Sequence, residues 1–315
     1  MRLVISVLVV LLAIATAGCG SNPPKEEGAA GGGYTSDQAS RDRRLRVGAA
    51  GPGASGGDFA GNPAVDRFIQ DMERRHGFDP RELRLVMAGA QKESWVVEAM
   101  DRPVRKSAST GPTGAWSRYR AKFVTEDNID KGVQFWRQYA SALKGAEARY
   151  GVPPEIVVGI VGVETRWGRI MGNTRILDAL ATLAFAYPRR AEYFTGELES
   201  FLVMARDEGF DPRKPTGSFA GAMGYGQFMP SSFRSFAVDF SGDGRRDLWS
   251  PVDAIGSVAN YFKGHGWRTG EPVAVRASLT GDGAAALKAG FDTRYSLGSL
   301  AAKGIVPSGG LGGAQ

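Results

Sequence analysis

The 315-residue chain has one cysteine, Cys19. No disulfide can form within it, so stability must come from a packed core or from a metal. The N-terminal apolar run, Leu3 to Ala15, is shorter than the roughly 20 residues a bilayer-spanning helix needs. No Lys/Arg block interleaves with aromatics and no nucleic-acid module is recognisable, which removes DNA and RNA as expected partners. The glycine-rich stretch Ser218 to Pro230 lacks the lysine and the spacing of a phosphate loop, which argues against nucleotide binding. What remains is ordinary for a globular protein. Hydrophobic content is 43% and charged content 23%, enough for one large domain or two ordinary ones. The net charge of +6 favours an acidic partner, an anionic lipid or an acidic glycan.

The N-terminus reads as an address. Arg2 precedes the apolar run, and Thr16-Ala17-Gly18 precede Cys19. A basic start, a short apolar stretch and small residues before a cleavage point describe a secretory signal over 1–18. Cys19 is either incidental to that signal or the lipidated first residue of the mature chain. Its setting resembles a bacterial lipobox, with Thr16 where leucine is more usual. The absence of Asp after the cysteine (Gly20 stands there) implies the outer membrane. Residues 19–57, rich in Gly, Ala, Ser and charge, read as a tether between anchor and body.

The folded part is expected to start near Phe59. Asn62-Pro63 opens a helix with the stripe Val65, Phe68, Ile69 and Met72, and Asp79-Pro80 opens another carrying Leu83, Val86 and Met87. Ser107 to Gly114 reads as a loop. A single long helix is expected from about Asn128 to Tyr150, with Ile129, Val133, Trp136, Ala140 and Leu143 along its core face. Further helices follow at Ile176 to Ala186 and from Pro188 to the stop at Gly209. Another begins after Ser231-Ser232, which could cap it. A short one is read at Ser296 to Lys303, and the glycine-rich end as disordered.

Gly151 to Trp167 is the centre of the pattern. Pro153 and Pro154 suit a helix start, and Glu155 favours the dipole of the first turn. Ile156, Val157, Ile160 and Val161 form an apolar face, and Glu164 is the next position on it. A carboxylate on such a stripe is disfavoured unless it is paired or protonated. One reading is an ion pair with Arg166 or Arg169. The other is a general acid with a raised pKa, walled by Trp167, with Gly168 allowing close approach.

Asp239 to Ser250 has the pattern of a hard-cation loop. Oxygen ligands fall at positions 1, 3, 5 and 9 (Asp239, Ser241, Asp243, Asp247), with Gly244 at the turn. Ser250 holds position 12, where a bidentate Glu is expected. A solvated acidic turn is the plain alternative. Asp253 could supply the missing carboxylate if the loop is longer than usual.

GVETRWG, ALATLAFAYPRRAEYF, GSFAGAMGYGQFMPSS, DFSGDGRRDLW and DAIGSVANYFKGHGW together closely resemble the membrane-bound lytic murein transglycosylase B family. The resemblance runs from about Phe59 to about Pro307. It implies an α+β, predominantly α fold: a helical subdomain at 58–150, a lysozyme-like catalytic core at 151–270 with a calcium loop, and a small β part. It also implies a further aromatic-rich segment completing the groove, which the short stretch 271–315 does not supply. The implied activity is cleavage of the β-1,4 bond between N-acetylmuramic acid and N-acetylglucosamine in peptidoglycan, leaving 1,6-anhydromuramoyl ends. Carried over by position, Glu164 resembles the single catalytic acid/base. Gln227, Tyr119, Ser218, Arg189, Arg190 and Tyr261 resemble saccharide contacts. The implied Ca2+ ligands are Asp239, Ser241, Asp243, the Arg245 carbonyl and Asp253. The implied setting is a monomer, lipid-anchored on the periplasmic face of the outer membrane and acting on glycan strands.

Most glycosidases use two carboxylates. Only Glu164 lies on an apolar face here, since Asp178 and Glu192 read as helix-surface or cap residues. A lone acid suits assistance by the substrate's own N-acetyl group. The rivals are a lysozyme-type hydrolase and an inactive peptidoglycan-binding lipoprotein. One loop without a paired partner hand argues against a calcium-responsive signalling protein.

Overall fold

The structure, a computed structural model, describes residues 44–47, 57–102, 115–288 and 293–309. Cys19, most of the expected tether and the 107–114 loop lie outside the described residues, as does the end of the chain from 310. Within the stretch expected to be tether, Leu45 is instead buried in the core and its N–H donates to Glu82.

The first two helices form where the caps place them. In α1 (Pro63–His76) the Asn62 side chain accepts from the Ala64 N–H at 2.9 Å, and Gly77 closes the helix at φ 67°. Asp79 caps α2 (Pro80–Ala88) in the same way. The α1 stripe Val65, Phe68, Ile69 and Met72 is buried as expected. Two short helices follow, α3 (Ser94–Asp101) and α4 (Ala115–Ala121).

The long helix expected at 128–150 is two helices, α5 (Glu126–Gln138) and α6 (Ala140–Tyr150), with the break at Tyr139. Thr125 caps the first, three residues before the expected start, and the Asn128 side chain donates to the Phe123 carbonyl. Leu143 on α6 is buried as expected, but over α5 the core face is displaced. Ile129, Val133 and Trp136 are exposed, Trp136 at 38%, while Asn128, Gly132 and Phe135 are buried. The reason is the partner surface. Trp167 brings its indole against α5, where a Cβ on Gly132 would stand 2.9 Å from the ring. A large side chain on α5 has no room there, so the packed side is the one with glycine.

Next comes α7 (Pro154–Thr165), then α8 (Ile176–Ala186), a 3-10 turn (Pro188–Arg190) and α9 (Ala191–Glu208), which Gly209 ends at φ 70°. Leu177, Leu180 and Leu183 of α8 are fully buried, each contributing roughly 1.5–3 kcal/mol. α8 lies against α3 and α9. Asp178 is buried rather than a surface residue. Arg175 pairs with it at 2.6 Å, and it accepts the Gln91 N–H, fastening the chain after α2 to the central helix. The remaining helices are α10 (Pro230–Phe236), α11 (Pro251–Gly264) and α12 (Leu297–Ala301). Met229, not a serine, is the N-cap of α10, and Ser231 sits inside its first turn.

The β part is two short antiparallel pairs. β1 (Thr174–Arg175) pairs with β2 (Thr216–Gly217), and β3 (Ala277–Leu279) with β4 (Ile305–Pro307). One apolar cluster runs from Leu45 to Phe262, so 58–150 and 151–270 share a core. Among the described residues no helix is long and apolar enough to cross a membrane.

Candidate active site

α7 is buried nearly all round. Val157, Ile160 and Val161 of the expected face are in the core, and Val158 and Gly162 are buried on the other side. Glu164 stands in the last turn, half-buried. Burial pushes its pKa up from 4.5 to about 8. Among the described residues it has neither an ion-pair partner nor a hydrogen-bond partner. The two arginines that could have paired with it are engaged elsewhere. Arg166 donates to the Lys122 carbonyl and lies over the Phe123 ring at 5.6 Å, and Arg169 faces Asp127 at 3.9 Å. A desolvated carboxyl without a cation holds its proton at neutral pH, the state a general acid requires.

The wall beside Glu164 is not the expected one. The Trp167 indole packs over Gly132 and Gly162, and its N–H donates to the Val158 carbonyl at 3.1 Å. At about 100° per residue, Val158 and Gly162 lie on the side of α7 roughly opposite Glu164. Tyr119 of α4 is the aromatic that feels the carboxylate. Its hydroxyl pKa is raised by burial and then by the Glu164 charge.

The backbone around the site is strained. Among the described residues only Arg166, Trp167 and Gln227 are non-glycine with positive φ, at 53°, 56° and 50°. Such residues persist where the surroundings over-determine them, and they cluster at functional sites. The first two end α7 directly after Glu164-Thr165. The third lies in the glycine-rich loop, which clasps the same turn. A Cβ on Gly168 would meet the Tyr225 ring at 2.3 Å, and the Thr165 hydroxyl lies 3.0 Å from the Tyr225 carbonyl.

Gln227 is buried, and its amide nitrogen donates to the carbonyls of Gly224 at 3.0 Å and Met171 at 3.3 Å. With both protons placed, its carbonyl oxygen is the atom left to meet a donor. The Ser218 oxygen accepts the N–H groups of Ala222 and Ala220, which shapes the loop and leaves its own proton free. Tyr261 packs between Phe228 and Phe236 at 5.4 and 5.0 Å and stacks on His265 at 4.0 Å. Arg190 lies over Tyr193 at 4.4 Å, whereas Arg189 is exposed and pairs with Asp101 at 2.9 Å. Thr165 and Tyr225 were not singled out from the sequence. A threonine between the glutamate and a left-handed pair is the only local sign of the first.

The acidic loop gathers Asp239, Asp243 and Asp253, with a carboxylate oxygen of each within 4.8 Å of the others. Asp253, fully buried at the start of α11, accepts the N–H groups of Phe240, Ser241 and Asp247. The Ser241 hydroxyl donates to Asp239, and the Arg245 N–H to Asp243. Asp247 is spent on the Trp249 N–H, and Ser250 is the N-cap residue of α11 without a side-chain bond. Asp253, thirteenth in sequence after Phe240, is therefore the carboxylate brought to the loop.

A mostly helical body with one uncompensated, protonated glutamate at a helix end beneath a glycine-rich loop defines a lysozyme-like, glycan-cleaving class. Residues 60–313 match the transglycosylase SLT domain family. The chain belongs to that family and is a lytic transglycosylase acting on peptidoglycan. It is 59% identical over 263 residues to the membrane-bound lytic murein transglycosylase B of Escherichia coli (strain K12), covering 82% of this chain and 72% of that protein. The E. coli lytic transglycosylase SLT35 in complex with calcium matches with TM-score 0.77 and 60% identity, over 82% of this chain and 80% of that one. SltB3 from Pseudomonas aeruginosa in complex with NAG-NAM-pentapeptide matches with TM-score 0.66 and 34% identity, over 79% and 66%.

Proposed function

We propose that Glu164 is the single acid/base with which the chain cleaves the MurNAc–GlcNAc β-1,4 bond and leaves a 1,6-anhydromuramoyl end. The observation that carries this is the half-buried Glu164 carboxyl, held near pKa 8 with no cation paired to it among the described residues. Its proton passes to the bridging oxygen, the C1–O bond breaks, and the N-acetylglucosamine side leaves as an alcohol. The muramoyl N-acetyl oxygen stabilises C1. Glu164, now ionised, takes the proton of the C6 hydroxyl as O6 closes on C1. The carboxyl is restored and no water is consumed.

Tyr119, Ser218, Gln227 and Tyr261 hold the sugars by their polar groups. Arg189 and Arg190 meet lactyl or peptide carboxylates, for which guanidinium forks are suited. Ca2+ fits the acidic loop, because the gathered donors are all hard oxygens. Asp239, Ser241, Asp243, the Arg245 carbonyl and Asp253 would hold it. The ion would neutralise the loop's charge and stiffen the start of α11. Cys19 carries a lipid anchor in the outer membrane, facing the periplasm, and the chain works as a monomer.

The test is Glu164→Gln, which keeps shape and removes the transferable proton. Anhydromuropeptide release from purified murein should fall by about 10²–10⁴ while sedimentation with murein persists. Near-normal turnover would remove Glu164 from the chemistry. Products heavier by one water would mark a hydrolase instead. For the anchor, Cys19→Ala should abolish fatty-acid labelling, and an unlabelled wild type would refute it.

A further inference from the structure

Glu197 of α9 is a carboxylate that the chemistry above does not use, and it is only 3% exposed. Each of its oxygens accepts a bond from Ser231. Oε1 accepts the Ser231 hydroxyl at 2.6 Å and Oε2 the Ser231 N–H at 2.9 Å. Ser231 is the second residue of α10. The cap residue Met229 offers no side-chain acceptor, and Pro230 has no N–H. The Ser231 N–H is therefore the first donor of α10 that needs a partner. A side chain from another helix supplies it, with the negative charge that a helix start favours.

That cap lies four residues beyond Gln227, whose left-handed backbone at φ 50° has to be held from both sides. On the near side the Gln227 amide is tied to Met171 and Gly224. On the far side the chain runs through Phe228, paired with Met223, into α10. On α9 Glu197 stands one turn after Tyr193. The nearby Tyr193 hydroxyl and the Arg190 charge both favour its ionised form. Arg190 in turn lies over the rings of Tyr193 and Phe194 at 4.4 and 5.2 Å.

We propose that Glu197 is a positioning residue for the cleavage, tying the start of α10, and so the Gln227 loop, to the Arg190–Tyr193 face of α9. The proposal rests on the reading of Gln227 as a substrate contact. It also explains why a carboxylate is kept in so dry a place. Burial raises its pKa, and the Ser231 and Tyr193 hydrogen bonds oppose that rise.

The experiment is a double-mutant cycle in the full chain, read as kcat/KM for anhydromuropeptide release with the melting temperature alongside. Glu197→Ala should lose about 10–100-fold. Glu197→Gln still offers an oxygen to the Ser231 N–H and an NH2 to its hydroxyl, so it should recover most of that loss. A purely electrostatic role would give no such recovery. In a Gln227→Ala background Glu197→Ala should cost only about 2-fold, because the group it positions is gone. Ser231→Ala, which removes the hydroxyl bond alone, should give a smaller loss that also vanishes in that background. It serves as the arm to read if Glu197→Ala does not fold. Additive losses, with Gln227→Ala itself impaired, would overturn the positioning role and leave Gln227 in place. Full activity of Gln227→Ala would overturn the reading of Gln227, and the proposal with it.

Discussion

The Thr165 hydroxyl accepts the Gly168 N–H at 3.0 Å, closing a turn in which Arg166 and Trp167 are both left-handed. The same oxygen lies 3.1 Å from the Val161 carbonyl and 3.0 Å from the Tyr225 carbonyl, and the side chain is fully buried. One hydroxyl thus fixes the end of α7, the strained turn and the glycine-rich loop together. Thr165→Val keeps the volume, strands the part-buried Gly168 N–H and removes the donor to the Val161 and Tyr225 carbonyls. Leaving a buried group unsatisfied costs about 1–3 kcal/mol. The variant should melt several degrees lower by calorimetry. It should also lose kcat, since Glu164 is the residue immediately before it. Unchanged melting would show that the turn is held by packing alone.

Glu164 makes a signed prediction in pH. Its pKa is raised from 4.5 to about 8, so the folded chain binds this proton more tightly than the unfolded chain. Stability from this group is fully present below pH 4.5 and is lost as pH rises towards about 8. Glu164→Gln carries no such penalty. It should melt with the wild type near pH 4 and above it at pH 8–9, a gap that widens through that window. Activity should follow the same group, with kcat/KM falling on the alkaline side as Glu164 loses its proton near 8. Parallel melting curves across that window would mean that the carboxyl is not desolvated.

Helix existence was legible wherever a cap and a stripe agreed, as at Asn62-Pro63 with Val65, Phe68, Ile69 and Met72. The apolar face leading to Glu164 was legible for the same reason. What failed was the identity of partners. Ile129, Val133 and Trp136 repeat at helical spacing, but which face is buried depends on what arrives against it. Trp167 arrives at Gly132. The same event moved Trp167 away from Glu164 and left Tyr119 as its aromatic neighbour. The burial of Glu197 was unreadable because its donor, Ser231, is far off in sequence; Asp178 has Arg175 three residues before it, but the Gln91 N–H that completes its buried setting is equally remote. Asp253 was readable in outline only, because its bonds to Phe240 and Ser241 close the loop through space.

Two acids of the loop differ in what else they hold. Asp243 is exposed and holds only the Arg245 N–H, while Asp253 is buried under three N–H groups. Ca2+ binding only the folded loop should add about 2.7 kcal/mol of stability at a hundredfold excess over Kd, and so raise the melting temperature. Asp243→Asn should abolish that rise and leave the chelator-treated melt unchanged. Asp253→Asn should lower the melt even in chelator, since an amide cannot accept at both ends. A melt indifferent to calcium from chelator to millimolar would remove the ion from the loop.

Two glycines of α7 should respond oppositely to the same change. Gly159 is exposed in mid-helix, and a Cβ there would meet nothing within 4 Å. Gly159→Ala removes backbone freedom from the unfolded chain without a clash, so it should stabilise by about 0.5–1 kcal/mol. Gly162 faces the Trp167 indole, where a Cβ would stand 2.5 Å from the ring. That ring is also held by its N–H bond to Val158 and by the surface at Gly132, so it has no easy retreat. Gly162→Ala should therefore destabilise by about 1–3 kcal/mol, the usual range for overpacking. Because Trp167 is one of the two left-handed residues of the turn after Glu164, Gly162→Ala should also depress kcat, and Gly159→Ala should not. Chemical denaturation and turnover on the two variants decide the matter. Equal behaviour of the pair would mean that the indole does not seat on α7.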